Sequence, residues 1–287
     1  MKLEIKNLSK RYSGEVCALS NVNLSISKGM FGLLGANGAG KSTLMRTIAT
    51  LQEADKGEIR LDNIDVVKNK HEARKLLGYL PQDFGLYPQE TPENLLKQIA
   101  YLKGIKGKKE RKALVSYYLD KVNLYKVRNQ KLGGFSGGMT RRFGIAQALI
   151  GNPKLIIVDE PTAGLDPEEK TNFYNILSEA SEKAIVILST HIVEDIHRLC
   201  NDMAIISGGK VVEQGNPSQL LTPLNDKIWR KKVTKKEFEN LKETQNVIRY
   251  ELISGEILAY IYSNDIPGDG FEHVVPVLED LFFIKRK

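Results

Sequence analysis

Residues Met30–Thr43 read MFGLLGANGAGKST. Met30–Leu34 is an apolar run of strand length, and the segment from about Ser42 to Leu51 carries a helical pattern. Between them Gly35–Thr43, GANGAGKST, fits GxxxxGK[ST] in strand–loop–helix order. Glycines let consecutive backbone N–H groups turn inward around an anion with no Cβ in the way. The helix that follows directs its unsatisfied N–H groups and positive dipole end at the same anion. Lys41 adds a mobile point charge for the outer phosphates, and the Ser42 hydroxyl suits Mg2+, a hard cation that takes oxygen ligands. Gly35, Ala36, Asn37, Gly38, Ala39, Gly40, Lys41, Ser42 and Thr43 are therefore read as a nucleotide-phosphate cradle. A ligand-free glycine-rich turn would require neither the strand before it nor the helix after it.

Outward from this loop the chain first reads as strands, at Lys2–Asn7, Cys17–Ile26 and Glu58–Leu61. Beyond Tyr87 it turns helical, at Pro92–Leu102, Glu110–Val122 and Gly137–Ile150. Strands Leu155–Val158, Ala184–Leu188 and Met203–Ile206 then alternate with helices Pro167–Glu182 and Val193–Cys200. Such alternation implies a parallel sheet covered by helices, because parallel strands need crossover connections. Composition shifts near Gly215–Asn225, rich in Asn, Pro, Gly and Thr. The tail mixes short strands (Asp226–Val233, Val247–Ile253, Glu256–Ser263) with one or two helices, and reads as a small α+β domain. There is no internal repeat and no low-complexity segment.

At 287 residues, 41% hydrophobic and 27% charged, the chain is neither disordered nor collagen-like. No apolar run approaches the roughly 18 residues that cross a bilayer, and the N-terminus lacks a signal-peptide core, so a cytoplasmic location is expected. Cys17 and Cys200 have no metal-ligand spacing and read as reduced, partly buried thiols. The formal charge is +7, yet from Thr222 onward basic and acidic residues balance at 11 each. The excess lies earlier and is densest in Lys103–Lys112, KGIKGKKERK, with six bases and one acid. This run reads as a solvated loop between two helices; contact with nucleic acid or an anionic membrane surface is the alternative.

Leu155–Glu160, LIIVDE, is a buried-type strand that stops at two acids. That places both carboxylates at the carboxyl edge of the sheet, where open α/β folds bind ligands. Asp159 is the metal-side acid. Glu160, expected on the opposite face, can order and polarise an attacking water.

Phe135–Met139 reads FSGGM, followed by TRRFGIAQALIGNPKLIIVDEPTAGLDP. This resembles the signature region, usually LSGGQ, of the ATP-binding cassette (ABC) ATPases. Tyr12 resembles that family's adenine-stacking aromatic. Gln82, in YLPQ, resembles the lid glutamine that senses metal and membrane partner. Ala163–Asp166, AGLD, looks like the loop that crosses between subunits, and His191, in LSTHIVED, resembles the switch histidine on the γ-phosphate. The resemblance covers about Lys2–Leu221. It implies an α/β P-loop NTPase of the ABC type over 1–221, with a helical subdomain inserted at about 84–150 and a small accessory α+β unit at 222–287.

The same resemblance implies ATP and Mg2+ as cofactors, with Ser42, Gln82 and Asp159 at the metal and Glu160 and His191 catalytic. Ser136, Gly137, Gly138 and Asp166 would reach the nucleotide of a second subunit, because Ser136 and two glycines at a helix start make a second anion cradle. The partners implied are a separate transmembrane permease and a second copy or a related ATPase subunit, with no nucleic acid. The expected place is peripheral, on the inner face of the cell membrane. Met139 departs from the usual Gln and Thr140 from a position often basic or Gln; FSGGM forms are familiar among export cassettes. The competing class is an ABC-type ATPase acting on nucleic acid or ribosomes. Those relatives usually carry two cassettes or a long coiled coil, and this chain has one cassette and no sustained heptads. A non-hydrolysing binding module is the third reading, disfavoured by Glu160. His191 and His197, six apart, face away from each other on a helix and do not make a metal site. His71 and His273 read as surface residues.

Overall fold

The apolar run before the phosphate loop becomes β3 (Gly29–Gly35), which sits inside a six-stranded sheet. The computed structural model describes residues 1–13, 16–83, 85–161, 165–190 and 192–286. Ahead of β3 come β1 (Lys2–Arg11) and β2 (Cys17–Ser27); after it come α1 (Lys41–Ile48), β4 (Lys56–Leu61), β5 (Ile64–Asp65), α2 (Lys70–Leu76) and β6 (Leu77–Leu80). Three helices follow, α3 (Pro92–Leu102), α4 (Lys108–Lys121) and α5 (Gly137–Leu149). The chain then alternates through β7 (Leu155–Asp159), α6 (Pro167–Ser181), β8 (Ile185–Ser189), α7 (Val193–Leu199), β9 (Asp202–Ser207) and β10 (Lys210–Gly215).

The central sheet runs β10-β9-β3-β8-β7-β6. Its last five strands are parallel, and β10 is antiparallel to β9. Strand alternation divides the apolar runs between two cores. Met30, Leu34, Ile156, Val158, Val186 and Leu188 face a core shared with α3 to α7. Phe31, Leu33, Leu155, Ile157, Ile185 and Ile187 face the other, shared with α1 and the antiparallel sheet β2-β1-β4-β5. Gly32 lets α7 approach β3, since a Cβ there would lie 2.7 Å from Ile196 Cγ2.

Helix α1 ends at Ile48, short of the expected Leu51, where Thr50 adopts a left-handed φ of 60°. Helix α2 and strands β6 and β10 are additions to the sequence reading. Helix α2, KHEARKL, buries only Ala73, so it carries no apolar stripe to detect. Cys200 is buried, but Cys17 is exposed, at the start of β2 rather than in a core position. The basic run is not simply a loop. Lys103 caps the C-terminus of α3, and its Nζ donates to the carbonyls of Arg74 (3.1 Å) and Leu77. Burial pushes that ammonium down to about 8. Lys108–Lys112 form the opening turns of α4.

The tail follows α8 (Pro217–Leu221) and builds a third sheet from β11 (Ile228–Val233), β12 (Val247–Ile253), β13 (Glu256–Tyr262) and β14 (Glu272–His273), in the order β12-β13-β11-β14. Helix α9 (Lys235–Thr244), started by a Thr234–Glu237 capping box, covers one face through Phe238. Ile228, Ile248 and Tyr260 join the core that holds Val193 and Ile196, together with Leu278 and Leu281 of the last helix α10 (Leu278–Arg286). Asp280 is fully buried, accepts from Arg249 Nε at 2.7 Å, and caps the Val277 N–H at 2.9 Å. Removing Asp280 leaves Arg249 with the exposed Glu251 carboxylate as its remaining ion-pair partner and the Val277 N–H uncapped. Asp280→Ala is expected to lower unfolding free energy by about 3–5 kcal/mol in a denaturant titration.

Candidate active site

The loop leaves the carboxyl end of β3 and enters α1 at Lys41. Its geometry requires glycine twice. Gly40 caps α1 at a φ of 110°, and a Cβ there would lie 2.6 Å from the Ala18 carbonyl. Gly38, at a φ of 78°, has no neighbour within 4 Å of a built Cβ, so the cradle is open where its N–H groups turn. Asn37 and Gly38 form the exposed tip, while Ala39 is buried.

Lys41 is 6% exposed and folds over its own loop, donating to the carbonyls of Gly35 (2.7 Å) and Ala36 (3.2 Å). Burial lowers its pKa, and the charges of Glu160 and Asp159 act in the opposite sense. Asp159, buried at the end of β7, is pushed up by burial; a hydrogen bond from the Ser42 hydroxyl and the Lys41 charge pull it back, and the Glu160 charge adds to the rise. Burial thus opposes the charge of both groups, and their neighbours oppose burial.

Strand β7 stops at Asp159, so Glu160 is not aimed by strand alternation as the period-two reading has it. Its backbone is left-handed, at a φ of 43°, and its N–H donates to the Ser189 carbonyl at 3.0 Å. A non-glycine residue in that region costs roughly 1 kcal/mol. The turn delivers its half-buried carboxylate to Gln82, whose Nε2 donates to Oε2 at 3.3 Å. The backbone at Gln82 is gripped in turn. Arg141 of α5 donates through Nη1 to the carbonyls of Gln82 (2.7 Å) and Pro81 (3.3 Å).

Tyr12 stands beside α1, its hydroxyl donating to Gln52 Oε1 at 2.8 Å and lying 3.5 Å from Thr43 Oγ1. Gln52 Nε2 donates to the carbonyl of Thr43 (2.9 Å) and to Thr47 Oγ1 (2.8 Å). Tyr12 is 42% exposed, with the Lys10 ammonium 6.0 Å from its ring centroid. These residues form one group with Gly35–Thr43, Gln82, Asp159 and Glu160.

A second group lies at the starts of α5 and α6. Ser136 caps α5, accepting from Met139 N at 3.2 Å, and Ser136 and Gly137 are exposed. Asp166 caps α6, accepting from Glu169 N at 2.7 Å. Glu169 bridges to Arg142 at 3.4 Å, and its carboxylate lies 2.9 Å from where a Cβ on Gly138 would sit. His191, Ala163 and Gly164 lie outside the described residues. Gln52, Arg141 and Glu169 escaped the sequence reading. Glu169 has a faint signal in the Asp-x-x-Glu spacing of a helix start, whereas Arg141 has none, since its partners are main-chain atoms some sixty residues away.

A family model described as ABC transporter matches residues 19–163, half of the chain. The chain belongs to the ABC transporter family. As such it is an ATP-binding cassette and an ATPase. ABC transporter A family member 8 of Dictyostelium discoideum is 36% identical over 255 residues, covering 86% of this cassette chain and 30% of that protein. Nod factor export ATP-binding protein I of Rhizobium etli is 36% identical over 77% of this chain and 70% of its own. ABC transporter ATP-binding protein NatA of Bacillus subtilis is 34% identical over 74% and 89%. The cassette therefore spans under a third of the first relative's length and most of the other two. A solved ATP-binding subunit of an ABC transporter superposes with a TM-score of 0.71 at 30% identity, over 77% of this chain and 92% of that one. A dimeric ATP-binding cassette in a post-hydrolysis state, bound to ADP and Pi, gives 0.68 at 26% identity, over 75% and 98%. Among the described residues no helix is long and apolar enough to cross a membrane.

Arg141 holds the backbone at Gln82 in place. Arg141→Ala is expected to lower the ATP turnover number roughly tenfold with little change in KM, and Arg141→Lys to recover part of the loss in steady-state assays.

Proposed function

We propose that this cassette hydrolyses ATP as one of a pair and thereby energises export through a separate membrane-spanning permease, at the inner face of the cell membrane. The observation that carries this reading is that Ser136 and Gly137, at the start of α5, face solvent and are tied to the start of α6 through Glu169. One group of site residues holds the phosphate loop with Asp159, Glu160 and Gln82; the other displays Ser136 and Gly137 to solvent beside Asp166. Two incomplete sites of this kind are completed when a second cassette sets its Ser136–Gly138 cradle against the first one's ATP. The dimeric cassette among the solved relatives supports the pairing. The names of two relatives, Nod factor export and linearmycin resistance proteins, support the direction.

Each residue of the first group has a chemical task. Main-chain N–H groups of Gly35–Thr43 bind phosphate oxygens, and Lys41 turns from its loop carbonyls to the outer phosphates. Tyr12 stacks on adenine. Glu160 orients a water whose oxygen attacks the γ-phosphorus as the bond to the bridging oxygen of ADP breaks; the carboxylate accepts the water's proton. The Gln82 amide donates to Oε2 of that carboxylate, joining the metal-side glutamine to the residue that orients the water. Ser42, Gln82 and Asp159 offer an all-oxygen donor set suited to Mg2+. The Asp159 carboxyl is buried and raised by desolvation, so a cation placed beside it would favour its charged form. Bound there, Mg2+ would supply charge neutralisation at the phosphate oxygens. His191 is assigned to the γ-phosphate on sequence resemblance. We assign residues 1–221 to the cassette and 222–287 to an accessory unit. Residues 84–150 are the permease-docking segment, since Arg141 within them grips the Gln82 backbone.

Glu160→Gln is expected to keep ATP affinity within a few-fold, lower turnover at least about 100-fold, and accumulate an ATP-bound dimer in size-exclusion runs. Unchanged turnover would falsify the assignment. For the wild type, specific activity should climb with protein concentration until pairing saturates; a constant value down to nanomolar protein would contradict the shared site.

A further inference from the structure

At the junction of α3 and α4 the molecule presents apolar side chains among cations. Tyr101 and Leu102 end α3 with 57% and 75% of their surface exposed. They border an open groove whose other walls are Lys97, Gln98, Lys108, Arg111 and Lys112. Arg111 is committed internally, donating to the carbonyls of Ile105 (2.8 Å) and Lys106 (2.7 Å) with its guanidinium 5.2 Å from the Tyr101 ring. It rigidifies the turn and holds Tyr101 in place. Lys106, Lys108, Lys109 and Lys112 are different: they are exposed, and among the described residues none has an ion pair.

Local stability does not explain these charges. Lys108 and Lys109 are the first two residues of α4, where the helix dipole favours acids and disfavours cations, and Glu110 is the one acid in that turn. An apolar pair beside four unneutralised lysines is instead the composition of a segment that meets an anionic bilayer. Leucine enters the headgroup boundary, tyrosine sits at its level, and flexible lysines reach surrounding charges. A protein partner fits less well, because lysine is depleted from protein interfaces and loses much rotamer freedom when fixed.

We propose that the α3–α4 junction is a membrane-contact tip. Leu102 and Tyr101 enter the headgroup region of a bilayer rich in anionic phospholipid, and Lys106, Lys108, Lys109 and Lys112 engage its charges. This goes beyond the transport reading, because it requires neither permease nor hydrolysis.

The test is flotation of the full chain, without nucleotide, with vesicles of phosphatidylcholine alone or with about 30 mol% phosphatidylserine. Binding is expected to the anionic vesicles and to fall as salt rises from about 0.1 to 0.5 M. Replacing the four lysines by glutamine should weaken it more than about 100-fold, at about fivefold per lysine near such a surface. Leu102→Ser should weaken it roughly tenfold. Both variants should keep wild-type ATPase rates, which separates this result from the fate of the transport reading. Equal binding to neutral vesicles, undiminished binding by the four-lysine variant, or capture by an acidic peptide or RNA with vesicles left unbound would each overturn the proposal.

Discussion

A parallel sheet buried on both faces has nowhere to place polar chemistry except at its ends. Strands β3, β7 and β8 are apolar up to their carboxyl ends and closed off by helices on one side and the antiparallel sheet on the other. Their carboxyl ends therefore gather what the faces exclude: the loop from Gly35, the Asp159–Glu160 pair, and Ser189, in register with Asp159. The position of the site follows from burial of Ile156, Val158, Ile185 and Ile187 as directly as from any catalytic residue.

The same burial sets the electrostatics. An ammonium at Lys41 and a carboxylate at Asp159 both suffer desolvation, and each is compensated by neighbours rather than by water. Glu160 is set apart by its left-handed turn and reaches Gln82 instead. Through Arg141 that contact is joined to the helix that Ser136 begins.

Much of this was legible in the sequence because the relevant signals are local. GANGAGKST between an apolar run and a helix, LIIVDE ending in acids, and Ser136 before two glycines each state their own backbone requirement. The alternation of β7, α6, β8, α7 and β9 was visible for the same reason, since continuous apolar runs of strand length alternate with segments of mixed polarity. Helix α2 and the four-residue strand β6 escaped because neither has a full apolar face. Glu160's direction cannot be read from alternation, which holds only while the strand continues, and the strand stops one residue earlier. Arg141 was invisible because it recognises main-chain carbonyls, which leave no mark on composition. The tail's strands could be read, but not that α10 would seat Leu278 and Leu281 in the core around α7.

Glu169 carries one further consequence. Its main-chain N–H is held by Asp166, and its carboxylate is held by Arg142 beside Gly138, so a single residue fastens the beginnings of α5 and α6 together. The two helix starts are coupled through that pair, so an approaching neighbour would meet the serine tip and the aspartate tip in the same stroke.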